Sequence, residues 1–247
     1  RAVHWAKSVH APLYLVHMAD REGLEAAVAA KRGGAPIYIE TCPQYLEFTC
    51  DVYKRPDGRN FVCSPPMKGE ESREALWKAV ADGSIDTVAT DHCPFTRAQK
   101  DYGLRLPDGR PGNFTTIPNG CDGLETMYPY LLTQANLGRI PFTLAAAVCA
   151  ANPAKLFGLE DRKGSLRPGL DADIVVFDPA LSGVVHAEQL HGNLDHTIWE
   201  DTALHGLVVQ TWLRGTQVYT DGQFTGQAGG GRFQRCNPVR LSSPWLG

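Results

Sequence analysis

Three short apolar segments each lead directly into a residue that can bind a metal or move a proton. Residues 13–17, LYLVH, end on His17; residues 36–40, PIYIE, end on Glu40; residues 88–91, VATD, end on Asp91. Imidazoles and carboxylates are ligands for divalent metals, and a carboxylate beside such a metal can also accept and return a proton. The segments therefore indicate metal-assisted chemistry at the ends of neighbouring strands.

Asp91 is the first candidate for catalysis, as a metal ligand that takes a proton from water and passes it to a leaving nitrogen. The alternative is that residues 90–92, TDH, are a strand end with a polar cap. His17 is a candidate metal ligand, and the alternative for it is a hydrogen-bonded core residue. His92 follows Asp91 directly, so strand geometry predicts that it points to the opposite face.

Other candidates lie in the loops that follow these segments. Glu40 and Tyr45 either line a pocket or hold the backbone of the loop after the strand. Ser64 and Asn119 lie in the proline-containing loops SPP and IPNG, where a rigid backbone can aim an amide or carbonyl group, although both are also ordinary turn sequences.

Cysteine and histidine patterns give no second site. The spacing of the seven cysteines offers no C-x-x-C pair, so we expect reduced and mostly buried thiols, with Cys63 and Cys93 buried and inert. The remaining histidines show no ligand spacing, and those near the C-terminal third are expected on a solvated surface: His186, His191, His196 and His205. Phosphate-binding and hydrolase motifs such as G-x-G-x-x-G and G-x-S-x-G do not occur.

Charge and hydropathy exclude several classes of partner. Twenty-four Lys and Arg against 27 Asp and Glu give a net charge of −3, without a basic run, so nucleic acid is not an expected partner. No window reaches the roughly 18 to 20 apolar residues of a membrane span, and the N-terminus lacks a signal-peptide layout. We expect a cytosolic protein that does not bind membranes.

The order of elements predicts an α/β fold. LYLVH reads as a strand buried on both faces, residues 22–31 as a helix, PIYIE as a strand, residues 69–81 as a helix and residues 85–90, IDTVAT, as a third strand. Strands that alternate with helices form parallel sheets, in which reacting groups lie at the carboxyl ends of the strands.

The rest of the chain divides into three parts. Residues 100–120 form a Gly- and Pro-rich loop long enough to be a lid, and two helices are expected at about 124–135 and 143–150. Short strands after residue 163, with a turn at Arg214-Gly215, predict a small β-domain over 163–223, and residues 224–247 read as an extended tail. The chain opens without Met on what reads as the end of a helix, so we expect Arg1 to lie inside a longer protein.

Taken together, six ordered motifs resemble the cyclic-amidohydrolase branch of the amidohydrolase superfamily, and most closely the dihydropyrimidinases and D-hydantoinases. The motifs are LYLVH, ETCPQYL, CSPPMK, TDHCPF, IPNG with GLE, and NPAKLFGL followed by KGSLRPGLDADIVVFDP. The resemblance implies that residues 1–162 are the C-terminal part of a TIM-like (β/α)8 barrel, followed by a small β-sandwich domain and the tail.

The same resemblance implies a site and a reaction. Two divalent metals, usually zinc, are bridged by a carboxylated lysine; His17 matches the metal-binding histidine and Asp91 the aspartate that is both ligand and proton shuttle. Ser64 and Asn119 would hold a cyclic amide or ureide through main-chain hydrogen bonds, and the ring would open to an N-carbamoyl amino acid. The family's other ligands and its bridging lysine belong upstream of LYLVH, so the chain as given is expected to be inactive by itself.

Three readings remain open from the sequence. The first is a dihydropyrimidinase- or hydantoinase-type hydrolase, which family likeness makes a homotetramer. The second is a non-catalytic relative of the collapsin response mediator type, and the third is an allantoinase or dihydroorotase that acts on a different ring.

Overall fold

A computed structural model describes residues 1–238, and these divide into two compact units. The first contains Arg1–Met127 and Val184–Thr202, and the second contains Tyr128–Gly183 together with residues 203–238. The domain boundaries expected after residues 162 and 223 stay a prediction. None of the described helices is long and apolar enough to cross a membrane.

A three-stranded parallel sheet forms the centre of the first unit. Its strands are β1 (Leu13–Leu15), β2 (Ile37–Thr41) and β3 (Thr87–Val88), in the spatial order β1-β2-β3. The unit's helices are α1 (Ala2–Ser8), α2 (Arg21–Arg32), α3 (Pro43–Glu47), α4 (Glu70–Ala81) and α5 (Arg97–Tyr102), with 3-10 turns at Cys50–Lys54, Gly58–Phe61 and Ala187–Gln189. The predicted alternation of strands and helices, and with it the α/β class, is confirmed.

The crossover helix α2 shows how the local sequence determines this arrangement. Asp20 caps its first turn by accepting a hydrogen bond from the Gly23 N–H at 2.7 Å. The buried residues of the helix, Leu24, Ala27 and Ala30, recur every three positions and therefore form one apolar stripe. A helix with such a stripe packs along the sheet and returns the chain to start β2 parallel to β1.

Strand β1 is less buried than its apolar sequence predicts, which corrects the expectation of a strand covered on both faces. Its three residues are each only partly buried, and Val16 directly after it is 47% exposed, whereas Ile37 and Ile39 of β2 are buried. Within residues 1–238, β1 pairs with β2 alone, so it is an edge strand. An apolar run does not reveal how many neighbours a strand has.

The second unit combines helices with an antiparallel sheet. The helices are α6 (Met127–Asn136), α7 (Phe142–Ala146) and α8 (Asn152–Leu156), with a π-type turn at Ala147–Ala151 between the last two. The sheet has the order β4 (Ile174–Val184), β5 (Ala203–Leu213), β6 (Thr216–Thr220) and β7 (Gln223–Phe224). β5 and β6 join at Arg214-Gly215, as predicted, and both turn residues have positive φ, the geometry that matches the twist of a two-residue hairpin.

Part of the predicted tail packs back onto its own unit. The Asn237 N–H donates to the Gly158 carbonyl at 2.8 Å, and the Arg162 guanidinium donates to the Arg235 carbonyl at 2.5 Å. Residues 239–247 of that tail lie outside the described residues. A contact of the tail with another subunit therefore stays a prediction.

Candidate active site

His17 and Asp91 leave the parallel sheet at the same edge, one on each side of β2. Leu15 pairs with Ile39 and Val88 pairs with Thr41, so β1 and β3 flank β2 and end at nearly the same level. β3 is shorter than the predicted IDTVAT, and Asp91 lies three residues beyond its end. Because parallel strands place their carboxyl ends together, the two side chains belong to one edge of the sheet.

Both residues also have an unusual backbone conformation. The φ angle is 42° at His17 and 46° at Asp91, in the left-handed region that costs a non-glycine residue about 1–3 kcal/mol. Such conformations persist only where neighbouring contacts impose them, and they cluster at functional sites. The residues that follow these two neighbouring strands therefore share a backbone conformation that nearby contacts must maintain.

A buried carboxylate fixes the backbone at His17. The His17 N–H donates to Glu40 Oε1 at 3.2 Å, and the Tyr14 hydroxyl donates to Glu40 Oε2 at 2.6 Å. The Tyr14 hydroxyl also lies 2.6 Å from Thr87 Oγ1, which links all three strands. Burial, and then the hydrogen bond to Glu40, raises the pKa of Tyr14, so this hydroxyl stays protonated as a donor. The sequence left open whether Glu40 lines a pocket or holds the backbone after the strand, and these contacts favour the second role.

Negative charge is concentrated at the end of β2. Cys42 follows this strand, and its pKa is raised by burial first and then by the carboxylates of Glu40 and Asp91. Both carboxylates therefore act on the same buried thiol. A site with this field favours a cation over a second anion.

The donor groups of His17 and Asp91 are available for a ligand. Among residues 1–238, no hydrogen bond or ion pair engages the His17 ring or the Asp91 carboxylate, and the Asp91 residue is exposed. Imidazole nitrogen and carboxylate oxygen are both zinc donors, so this pair fits a divalent metal. In the described part of the chain the pair has no third ligand close enough to complete a centre.

The structure brings Ser64 and Asn119 together. Ser64 Oγ donates to Asn119 Oδ1 at 3.2 Å, and the Asn119 amide donates to the Ile117 carbonyl at 3.0 Å. The backbones of the two loops are also joined, because the Gly120 N–H donates to the Val62 carbonyl at 2.9 Å. Gly120 has a φ of 151°, and a Cβ there would lie 2.4 Å from the Cys93 carbonyl, so this approach requires glycine.

Tyr45 and His92 hold backbone next to these residues. The buried Tyr45 hydroxyl donates to the Pro65 carbonyl at 2.8 Å, directly after Ser64. The His92 Nδ1 accepts from the N–H groups of Gly123 and Leu124 at 3.1 and 3.2 Å. Since Nδ1 accepts, a neutral His92 carries its proton on Nε2. The sequence left the same two roles open for Tyr45, and its hydrogen bond to a main-chain carbonyl favours the role of holding the backbone.

Several expectations about cysteines and histidines were wrong. Cys93 is exposed because it lies beyond the end of β3, and only three of the seven free cysteines are buried: Cys42, Cys63 and Cys121. Cys63 is buried as expected, and its pKa is lowered, chiefly by its hydrogen bond with Cys121. His196 is buried, with Nδ1 3.0 Å from Asp195 Oδ1, and does not lie on a solvated surface.

One group of potential ligands escaped the sequence analysis. The ligand atoms of His186, Glu200 and Asp201 lie within 4.8 Å of one another, but His186 Nδ1 is engaged with Glu200 at 2.9 Å. The 14-residue separation of His186 and Glu200 is not a spacing that signals a metal site. His186 and Glu200 form an ion pair at the surface, and this pairing explains their contact without a metal.

Comparisons with known proteins identify the family of this chain. The model of the family described as "Amidohydrolase family" matches residues 18–218. A D-phenylhydantoinase of Escherichia coli O1:K1 is 40% identical over 230 residues, which are 93% of this chain and 49% of that protein.

Two solved structures superpose closely. The dihydropyrimidinase of Brevibacillus agri NCHU1002 has a TM-score of 0.91 at 34% identity, over 97% of this chain and 51% of that one. The D-hydantoinase of Bacillus sp. AR9 has a TM-score of 0.91 at 36% identity, over 98% of this chain and 52% of that one. The chain spans about half the length of these relatives.

Proposed function

The chain belongs to the amidohydrolase family, and from this premise we propose that it carries one part of the active site of a metal-dependent enzyme that hydrolyses a cyclic amide. The observation that carries the proposal is the pair His17 and Asp91, which lie on either side of β2. Both have a left-handed backbone conformation, and neither side chain has a hydrogen-bond or ion-pair partner within residues 1–238. The relatives named above are hydantoinases and dihydropyrimidinases, so a hydantoin or dihydropyrimidine ring is the proposed substrate.

His17 and Asp91 would hold the metals, which are proposed to be two zinc ions with their remaining ligands and a bridging carboxylated lysine supplied by other parts of the whole protein. Bound divalent ions polarise the amide carbonyl and lower the pKa of the attacking water. Asp91 would accept the proton of that water and then deliver it to the ring nitrogen as the C–N bond breaks. The carbonyl carbon gains the water oxygen, and the product is an N-carbamoyl amino acid.

Ser64 and Asn119 would orient the ring through their main-chain groups. Their side chains are bonded to each other at 3.2 Å, which fixes the two loops relative to one another. Among residues 1–238, no hydrogen bond engages the main-chain N–H or C=O of either residue. Exposed, unpaired peptide groups at fixed positions can recognise the alternating N–H and C=O groups of a cyclic ureide.

Several finer features belong to the same proposal. We propose that β1, β2 and β3 are part of a TIM-like barrel, that the antiparallel sheet of the second unit is a small β-sandwich domain, and that residues 100–120 act as a lid. The whole protein is proposed to be a cytoplasmic homotetramer that acts on a small molecule and contacts neither nucleic acid nor membrane.

Metal analysis and substrate assays of the whole protein test the proposal. We expect about two divalent ions per chain and ring opening of hydantoin or dihydrouracil, with allantoin and dihydroorotate as the competing substrates. Turnover of either competing ring alone would move the protein to an allantoinase or dihydroorotase activity. A protein without bound metal and without turnover would be a structural relative and would overturn the proposal.

A further inference from the structure

Lys100 is buried, and all three donors of its ammonium group are used. The residue lies in α5 and is 1% exposed. Its Nζ donates to the carbonyls of Val62 at 3.0 Å, Pro118 at 2.8 Å and Gly120 at 2.8 Å. A lysine ammonium has three donors, so the three carbonyls satisfy it completely.

The three carbonyls belong to the two loops that carry Ser64 and Asn119. Val62 lies two residues before Ser64, and Pro118 and Gly120 are the two neighbours of Asn119. Lys100 itself follows Asp91 by nine residues in the same segment. One buried cation therefore joins the loop of Ser64, the loop of Asn119 and the segment that begins at Asp91.

Packing alone does not account for a charged residue at this position. Lysine is almost never fully buried unless its charge is compensated, and an apolar side chain of similar length would fill the same volume. Within residues 1–238, Lys100 makes no salt bridge, so its charge is compensated by carbonyl dipoles and by the Phe95 ring, whose centroid is 5.3 Å from Nζ. Burial lowers the pKa of Lys100, while Cys121, Cys63, Cys93 and Asp122 oppose that shift.

We propose that Lys100 is a positioning residue, whose buried ammonium sets the distance between the main-chain groups of Ser64 and Asn119 and thereby the affinity for the ring. The link between that distance and the affinity for the ring rests on the proposed function, whereas the hydrogen bonds of Lys100 do not. Three convergent carbonyls repel one another when the cation is removed, so the two loops separate. The ring then loses contacts that are equal in the ground state and the transition state, which raises KM more than it lowers kcat.

The test compares Lys100→Met with Lys54→Met in the whole protein. Lys54 is the matched control, because its side chain is 81% exposed and pairs with Asp51 on a surface turn. For Lys100→Met we expect KM for the ring to rise at least about tenfold with kcat changed less than about threefold. Metal content should be unchanged in both variants. A lysine with only a structural role would lower the folded fraction and the apparent kcat but leave KM as it is.

Hydrogen exchange separates failure of this inference from failure of the proposed function. In Lys100→Met the Gly120 N–H, which donates to Val62, should exchange about tenfold faster, equal to ~1.4 kcal/mol of local opening free energy. Hydrogen exchange needs no substrate, so it tests the contact of Lys100 with the carbonyls even if the wild-type protein does not hydrolyse the ring. Unchanged exchange, or an unchanged KM in an active variant, overturns the inference. If Lys100→Met does not fold, Lys100→Gln keeps two N–H donors on a side chain that is one bond shorter, and it is measured in the same way.

Discussion

The main-chain N–H of His17 donates to the carboxylate of Glu40, with 3.2 Å between the nitrogen and Oε1. Glu40 carries a carboxylate, which is a common metal ligand, but here it holds the backbone of His17, which is the candidate ligand. The contact explains how His17 keeps a φ of 42° immediately after an edge strand. It also makes Glu40 a residue whose loss affects the site without any direct contact with substrate.

Replacing Glu40 by Ala should destabilise the whole protein. The change leaves the His17 N–H and one interaction of the Tyr14 hydroxyl unsatisfied, and each such group costs about 1–3 kcal/mol when buried. We expect the free energy of unfolding to fall by about 2–4 kcal/mol, measured by urea denaturation. Glu40→Gln should lose less, because its amide can still accept from His17.

Glu25→Ala is the control for this change. Glu25 lies on the exposed face of α2 and pairs with Arg21 at 3.7 Å, with 70% of its side chain exposed. Exposed pairs of this kind contribute little, so the variant should differ from wild type by less than about 0.5 kcal/mol. Equal effects at both positions would contradict the role assigned to Glu40.

Asp91→Asn should remove turnover while leaving the fold intact. The amide cannot accept the proton of water, and general acid–base catalysis of this kind contributes about 10²–10⁴-fold in rate. Asn tolerates a left-handed backbone as well as Asp does, and the Asp91 carboxylate has no protein partner within residues 1–238, so the melting temperature of the metal-free protein should not change. Asp221→Asn, at φ 48° in a surface turn, is the matched control and should keep full activity. Unchanged rates in Asp91→Asn would remove the central assignment.

His17→Asn should reduce metal binding. The substitution keeps a side chain compatible with φ 42° but replaces the imidazole nitrogen by a weaker ligand. Elemental analysis should show fewer divalent ions per chain than in wild type, and added chelator should lower the melting temperature of the variant at lower concentration. His10→Asn provides the comparison, because His10 also has positive φ, at 52°, but lies before β1. Equal metal content in the two variants would argue against His17 as a ligand.

The sequence predicts the candidate residues of this site more readily than the residues that hold them in place. His17 and Asp91 could be chosen because each follows an apolar run at a strand end, a pattern visible without coordinates. The approach of Ser64 to Asn119 followed only from family resemblance, since 55 residues separate them. Residues 100–120 were expected to form a loop, but Lys100 lies in helix α5, Arg97–Tyr102. Lys100 was missed because a lysine at the start of a polar loop is expected to be exposed, and nothing local reveals three distant carbonyls.

The ion pair of His186 and Glu200 gives a prediction about pH. Its hydrogen bond with Glu200 raises the pKa of His186 above 6.5, and the same bond lowers the pKa of Glu200 below 4.5. The His186 contribution to stability is complete below pH 6.5 and disappears as the pH rises through the raised folded-state pKa. The Glu200 contribution is present above pH 4.5 and disappears as the pH falls through the lowered pKa, so the pair stabilises most between these values.

An NMR titration of the His186 ring in wild type and Glu200→Gln measures this shift. We expect the pKa of His186 to move down towards 6.5 in Glu200→Gln, because its largest cause is then removed. Glu188→Gln is the control, since Glu188 acts on His186 more weakly than Glu200 and Asp201 do and should shift the pKa much less. If Glu200→Gln left the titration unchanged, the 2.9 Å contact would not persist in solution. Because this pair is on the surface, its effect should weaken in high salt.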